Sequence, residues 1–320
     1  MRIQFISQIP FHYKKKLKAH LHFVPYHLEK LGHKIDIIER KDWTWFYLKY
    51  LKFKPDVMIV SALVGFFPIL FKKLGLIRKP IIYYWGDYFY EGMGRKWDPA
   101  KCAFMELFCV KNASIVTTPS KFLKTVCNNL AINCEYIPHG IEPEALEVKP
   151  SNLPELSVKQ KKLSKFIHLG NINKYKQVSK IIQAVKGKRC ILYLIGKEEE
   201  PGLIKDLPKN IIYLGELPKS KAISYVKSCD IAVITSDQDS TLKMFEYLKL
   251  GKPILAFNGR INYVLTHNEN AYLTDDFSKA INKLIKDKEI LGILSKNAKK
   301  FKINSWKKEV EKYDKIIKNL

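Results

Sequence analysis

Short runs of apolar residues recur along the chain, each followed by a longer stretch in which apolar positions return every three or four residues. Runs of four to six such residues suit strands buried on both faces, and the intervening period suits amphipathic helices. In the first half the strand candidates are Ile3 to Ile6, Lys34 to Ile38, Asp56 to Val60, Pro80 to Tyr84, Ser114 to Thr117 and Glu135 to Ile137. In the second half they are Lys165 to Leu169, Cys190 to Ile195, Ile211 to Leu214, Ile231 to Thr235, Pro253 to Ala256 and Ala271 to Leu273. Strand and helix patterns in alternation mark parallel sheets with helices on both faces, so two doubly wound α/β sheets are expected.

The stretch from Glu142 to Ser164 holds Pro143, Pro150 and Pro154 among polar residues and has no apolar period, which places a domain boundary there. The expected organisation is a Rossmann-like domain over 1–145, a linker over 146–164, a second Rossmann-like domain over 165–304 and a last helix over 305–320. Ligands of open α/β sheets sit beyond the carboxyl ends of the strands, so the chemistry is expected in a central cleft that both domains face.

Length and composition agree with this division. The 320 residues are 47% hydrophobic, enough to bury two cores. Cys102, Cys109, Cys127, Cys134, Cys190 and Cys229 are scattered and form no CxxC pair, which points away from a zinc cage or disulfide framework and towards a reducing cytoplasm. The opening MRIQFISQIPFHYKKK has a short apolar run and no small-residue cleavage site, so it reads as a first strand and not as a signal peptide. The longest apolar stretch, Val57 to Phe71, is broken by Ser61, Gly65 and Pro68 and falls short of the roughly 20 residues of a membrane span. A buried strand followed by a buried helix is expected.

The formal charge of +25 draws the chain towards phosphates, anionic lipids or nucleic acid without saying which. Residues 1–54 alone hold 12 Lys and Arg against 4 Asp and Glu. Nucleic-acid binding is the weaker reading, since no RNP or zinc-finger pattern accompanies the charge.

Residues 237–253, DQDSTLKMFEYLKLGKP, follow a strand, open with capping residues and close with Gly then Pro. A helix of about ten residues is expected, with Asp239 or Ser240 as N-cap and Gly251 as its stop. Its first turn offers unpaired N–H groups and the positive end of the helix dipole, where a diphosphate can be held. Lys243 and Glu246, three apart, share one face. A lysine can pair with phosphate, and a carboxylate can accept from both hydroxyls of a ribose diol; a solvated surface pair is the plainer alternative.

The run from Ser240 to Ala256, STLKMFEYLKLGKPILA, closely resembles the donor-binding segment of glycosyltransferase family 4. Three further stretches resemble that family in the required order: Ile137 to Pro143 (IPHGIEP), Ile167 to Gln177 (IHLGNINKYKQ), and Ile212 to Pro218 (IYLGELP) through Asp230 to Ser236 (DIAVITS). The resemblance runs from about Asn112 to Asp275. It implies a retaining, metal-independent glycosyltransferase of the GT-B type, a sugar nucleotide as co-substrate and no resident cofactor or metal. It also implies that Lys176 and Lys243 act on the donor pyrophosphate, that Glu246 holds the ribose, and that Gly170, Asn171, Ser240 and the amides of Thr241 and Leu242 complete the donor site. The absence of a DxD motif agrees with metal independence.

The departures are specific. Asn171 stands where the family usually has arginine, leaving Lys174 as the other possible source of charge. Gln238 replaces the first Glu of an E-x7-E pair, with Asp237 or Asp239 as substitutes, and Ser7-Gln-Ile-Pro10 replaces a glycine pair after the first strand. Tyr84-Trp-Gly-Asp87 stands where His-Asp is common, so Asp87 is the candidate catalytic or acceptor-orienting group, or else a strand-end cap. These departures leave open a sugar-nucleotide binder without transfer activity, or a nucleotide-sugar epimerase. His139 reads as a turn residue and His168 as core. His12, His20, His22, His27 and His33 show no ligand arrangement, Pro25 interrupting their helical spacing.

Residues 41–54, KDWTWFYLKYLKFK, interleave aromatics and lysines over one expected helix, suited to a membrane interface or to a core helix with a solvated edge. With Lys14, Lys15, Lys16 and Lys18 they suggest an anionic membrane surface as partner, a lipid-linked or cell-surface glycan precursor as acceptor, and a location at the inner face of the cell membrane. Residues 305–317 are helical in pattern and resemble the family's last helix, which crosses back onto the N-terminal domain.

Overall fold

The computed structural model describes residues 1–7, 20–39, 42, 45–87, 98–154 and 162–320. They divide into two compact units, Met1–Gly140 with Asn304–Leu320, and Ile141–Ile303. Each is a six-stranded parallel sheet with helices on both faces.

In the first unit the strands are β1 (Arg2–Ile6), β2 (Lys34–Ile38), β3 (Val57–Ser61), β4 (Ile81–Tyr84), β5 (Ile115–Thr118) and β6 (Cys134–Tyr136), in the order β2-β1-β3-β4-β5-β6. Its helices are α1 (His20–Lys30), α2 (Phe46–Phe53), α3 (Phe66–Lys73), α4 (Pro99–Asn112) and α5 (Lys121–Asn129), joined by the terminal helix Trp306–Asn319. One sheet face is packed by Phe46, Ile69, Val110 and Leu123, the other by Val24, Leu28, Val310, Tyr313 and Ile317. The terminal helix is fixed in this unit by a Phe23–Trp306 ring stack at 4.8 Å, by Tyr313 Oη on Thr117 Oγ1 at 3.3 Å, and by His33 Nε2 against Asp314 Oδ1 at 2.8 Å.

In the second unit the strands are β7 (Ser164–Leu169), β8 (Cys190–Ile195), β9 (Ile211–Tyr213), β10 (Ile231–Ile234), β11 (Ile254–Phe257) and β12 (Tyr272–Thr274), in the order β12-β11-β10-β7-β8-β9. Read from β9, this is the strand order of dinucleotide-binding sheets, with the reversal between β7 and β10. Its helices are α6 (Val178–Val185), α7 (Lys219–Ser228), α8 (Leu242–Lys249), α9 (Phe277–Lys286) and α10 (Lys288–Lys300). β8, with sequence CILYLI, is buried along its whole length, as a central strand covered on both faces must be.

All twelve expected strands form, with ends shifted by one residue at most. The other expectations need adjustment. Leu146 of the 146–164 stretch lies in the second unit's core, and Val148, Leu153 and Leu163 pack against it. Tyr193 Oη donates to Pro154 O at 2.8 Å, so the described part of this stretch is held to that unit without forming a periodic element. α1 runs through Pro25, which forgoes one backbone hydrogen bond without ending the helix. α2 begins at Phe46, so the helix is shorter than the 41–54 stretch. Ser61 is followed by a 3-10 turn, Ala62–Gly65, before α3.

Candidate functional site

Two loops of the second unit leave the sheet where its strand order reverses: 170–177 after β7 and 235–241 after β10. The first is shaped by close backbone approach. Gly170 has φ +155° and Gly196 φ +145°, and a Cβ on Gly196 would sit 1.9 Å from Gly170 O. Only glycine fits there. Gly170 N donates to Ile195 O at 2.9 Å, Ile172 N to Lys197 O at 2.8 Å, and Glu199 N to Ile172 O at 3.0 Å.

Glu199 receives the side-chain amides of Asn171 and Asn173, the latter at 2.6 Å, and Asn173 Oδ1 accepts from Lys176 N at 2.8 Å. Asn171, standing where arginine was the family expectation, is thus held by a carboxylate that also sets the loop. A Cβ on Gly170 would lie 3.6 Å from Lys176 Nζ and 3.7 Å from His168 Nε2, so the three residues converge at the strand end. His168 is buried, and burial, followed by the charge of Lys176, pushes its imidazole pKa down to about 4. It is a neutral ring at physiological pH.

In the second loop the expected cap is displaced. Asp239 and Ser240 lie in a turn, Asp239 buried at 2% exposure, and the N-cap is Thr241, extended at φ −70° and ψ 123° and without a side-chain cap hydrogen bond. α8 accordingly has eight residues instead of about ten, and Gly251 at φ +66° stops it. Its first turn presents backbone N–H groups of the kind that bind anions. Asp237 is held bidentately by Arg260, through Nε to Oδ2 and Nη2 to Oδ1, both at 3.1 Å, and so serves a local ion pair.

Glu246 is 1% exposed, in a helix whose Met244, Phe245, Tyr247 and Leu248 are also buried. Its Oε2 accepts from Lys243 Nζ at 2.8 Å and its Oε1 lies 3.2 Å from Lys219 Nζ. A carboxylate so buried is tolerated only when paired. Lys219 sits in the first turn of α7, the unfavourable end of the helix dipole for a cation, and its placement is explained by Glu246 rather than by its own helix. Neither composition nor spacing singled out Lys219.

The loops are joined by Gln238 Nε2 donating to Tyr175 Oη at 2.6 Å, and the end of β7 is tied to α8 by Leu169 N donating to Tyr247 Oη at 3.1 Å. Gln238, the departure from the E-x7-E pattern, therefore bridges the two loops. Gly170, Asn171 and Lys176 belong to one side of this site, and Ser240, Thr241, Leu242, Lys243 and Glu246 to the other. Asp87 lies in the first unit, just past β4, where Trp85 Nε1 donates to the buried Glu106 at 2.5 Å. His139 packs edge-on against Trp306 in that unit, ring centroids 5.6 Å apart. Among the described residues, no three His, Cys, Asp or Glu side chains cluster to hold a metal ion.

Residues 152–301 match the family described as Glycosyl transferases group 1. No curated protein sequence matches the chain. Among solved structures it is similar to sucrose-phosphate synthase from Thermosynechococcus elongatus, with 14% identity, TM-score 0.81 and coverage of 99% of this chain and 98% of that one. HepE of Anabaena in complex with UDP-glucose gives 15%, 0.76 and full coverage of both chains. A glycosyltransferase from Rickettsia africae gives 12%, 0.68, and coverage of 99% and 98%. The two Rossmann-like domains are those of the GT-B fold. The match to Glycosyl transferases group 1 lies within the second unit, and the chain as a whole has the GT-B fold.

Proposed function

We propose that this enzyme moves a sugar from a nucleoside diphosphate donor, held at the strand-order reversal of the second unit, to a glycan or lipid-linked acceptor at the cytoplasmic face of a membrane. The carrying observation is Glu246, buried at the carboxyl edge of the sheet with a lysine on each oxygen and one turn from an uncapped helix start. A ribose diol takes the place of ammonium groups on that carboxylate. Lys243 and Lys176, with the amides of Thr241 and Leu242, then meet the pyrophosphate. As the glycosidic bond breaks they offset the charge growing on the leaving diphosphate, the task a divalent ion performs in metal-dependent transferases. No metal enters this reading, and the resemblance to family 4 supports retention of the anomeric configuration.

Asp87 is the proposed acceptor-orienting group of the first unit. The UDP-glucose in the HepE complex supports beginning with uridine donors. Purified protein is incubated with uridine and guanosine diphosphate sugars and a membrane lipid extract, followed by proton NMR of released nucleotide and product. One donor is expected to be consumed with an α-linked product from an α-linked donor. Intact donors in every mixture, from folded protein, would contradict the proposal.

A further inference from the structure

The described residues of the second unit expose few large apolar side chains, Tyr263 and Ile293. The first unit is different. Trp45, Leu48 and Leu51 on or beside α2, Phe67 and Leu74 on or beside α3, and Phe104 on α4 are each between 48% and 64% exposed.

These six residues belong to neighbouring helices on one face of the sheet. Phe46 and Tyr47 of α2 each meet Phe71 of α3 with ring centroids 5.3 Å apart, and Phe66 of α3 lies 5.1 Å from Phe108 of α4. The inward aromatics therefore bind the helices side by side while the outward ones face solvent. Scattered exposed leucines are ordinary, but a contiguous apolar surface marks an interaction site.

The charge on the same helices narrows the partner. They carry Lys49, Lys52, Lys72, Lys73, Lys101 and Lys111, and their one acid is Glu106, which is buried. Lys49 pairs with Asp42 at 2.8 Å, and Lys73 donates to Asn112 at 3.1 Å. A second copy of the chain would bring the same positive charge to this surface and be repelled. Aromatic and aliphatic tips within a lysine rim match the boundary between anionic headgroups and acyl chains.

We propose that the outer face of α2, α3 and α4 is a docking surface for an anionic lipid bilayer, with Trp45, Leu48, Leu51, Phe67, Leu74 and Phe104 entering the interface. The proposal names the residues behind the membrane-side acceptor proposed above, and rests on that reading only for its purpose. Vesicle binding is measured without donor or acceptor, so its failure leaves the transfer reaction untouched, and the reverse.

The test is co-sedimentation with vesicles of phosphatidylcholine alone or mixed with phosphatidylglycerol. Wild type should bind the mixed vesicles at least tenfold more strongly. Trp45→Ser, Leu48→Ser and Phe104→Ser combined should remove most of this binding while leaving the unfolding temperature and donor-induced stabilisation in place. Each of Lys52→Gln, Lys72→Gln and Lys101→Gln should weaken binding by about fivefold, and more at low salt than at high. Wild type that ignores anionic vesicles, a triple variant that binds like wild type, or a dimer in solution abolished by the same triple substitution would each overturn the proposal.

Discussion

Lys219 Nζ stands 3.2 Å from Glu246 Oε1, joining the first turn of α7 to the buried middle of α8. With Lys243 on the other oxygen, the carboxylate is neutralised from two helices. Part of the local stability therefore resides in groups that face the proposed donor.

The first prediction concerns that pair. Lys219 is 40% exposed at its side chain, so solvent screening limits the loss from Lys219→Gln to about 1 kcal/mol. A double-mutant cycle with Glu246→Gln by chemical denaturation should give a coupling of similar size. Additive losses would show that the two side chains do not interact in solution.

Gly196→Ala should be far more damaging than its size suggests. The new methyl would lie 1.9 Å from Gly170 O on a backbone at φ +145°, so the loop carrying Asn171 and Lys176 must move. A loss of roughly 3 kcal/mol and a fall of about 10 °C in unfolding temperature are expected by calorimetry.

His168 gives a pH dependence with a definite sign. Its folded pKa, about 4, lies below the unfolded value near 6.5, so the unfolded chain binds the proton more readily between those limits. Its contribution is complete above pH 6.5 and is lost as pH falls towards 4, by an amount on the order of 3 kcal/mol. His168→Phe should flatten the stability curve over that window. An unchanged slope in urea titrations at pH 7, 5.5 and 4.5 would show that the ring is protonated as easily folded as unfolded.

Metal independence is tested directly. If lysines and helix amides carry the leaving diphosphate, turnover in excess EDTA should equal turnover in magnesium. Restoration of lost activity by a divalent ion would require a different account of the charge.

How far the sequence foretold this molecule differs by element. β8 was legible because a strand covered on both faces is an unbroken apolar run, and α8 because Gly251 and the spacing of Lys243 and Glu246 survive in any setting. The start of α8 was not, since Asp239 and Ser240 are capping types by chemistry while the backbone places Thr241 at the boundary. Lys219 could not be found by any local rule, because its partner lies beyond an intervening strand and turn. The bridging role of Gln238 was hidden for the same reason: Tyr175, its partner, belongs to a loop after a different strand. The exposed apolar tips of α2, α3 and α4 come from three separated segments, of which the first reads as a possible surface and the second, which begins within the apolar stretch Val57 to Phe71, as buried.

The central claim is that a sugar nucleotide binds where Glu246 meets its two lysines. Isothermal titration of uridine and guanosine diphosphate sugars into wild type and Glu246→Gln tests it most directly, the amide keeping the shape of the side chain while removing its charge. One donor should bind wild type and lose about ten- to a hundredfold in the variant, as expected when charge-assisted hydrogen bonds are lost. Equal affinity in the two proteins would place the donor elsewhere.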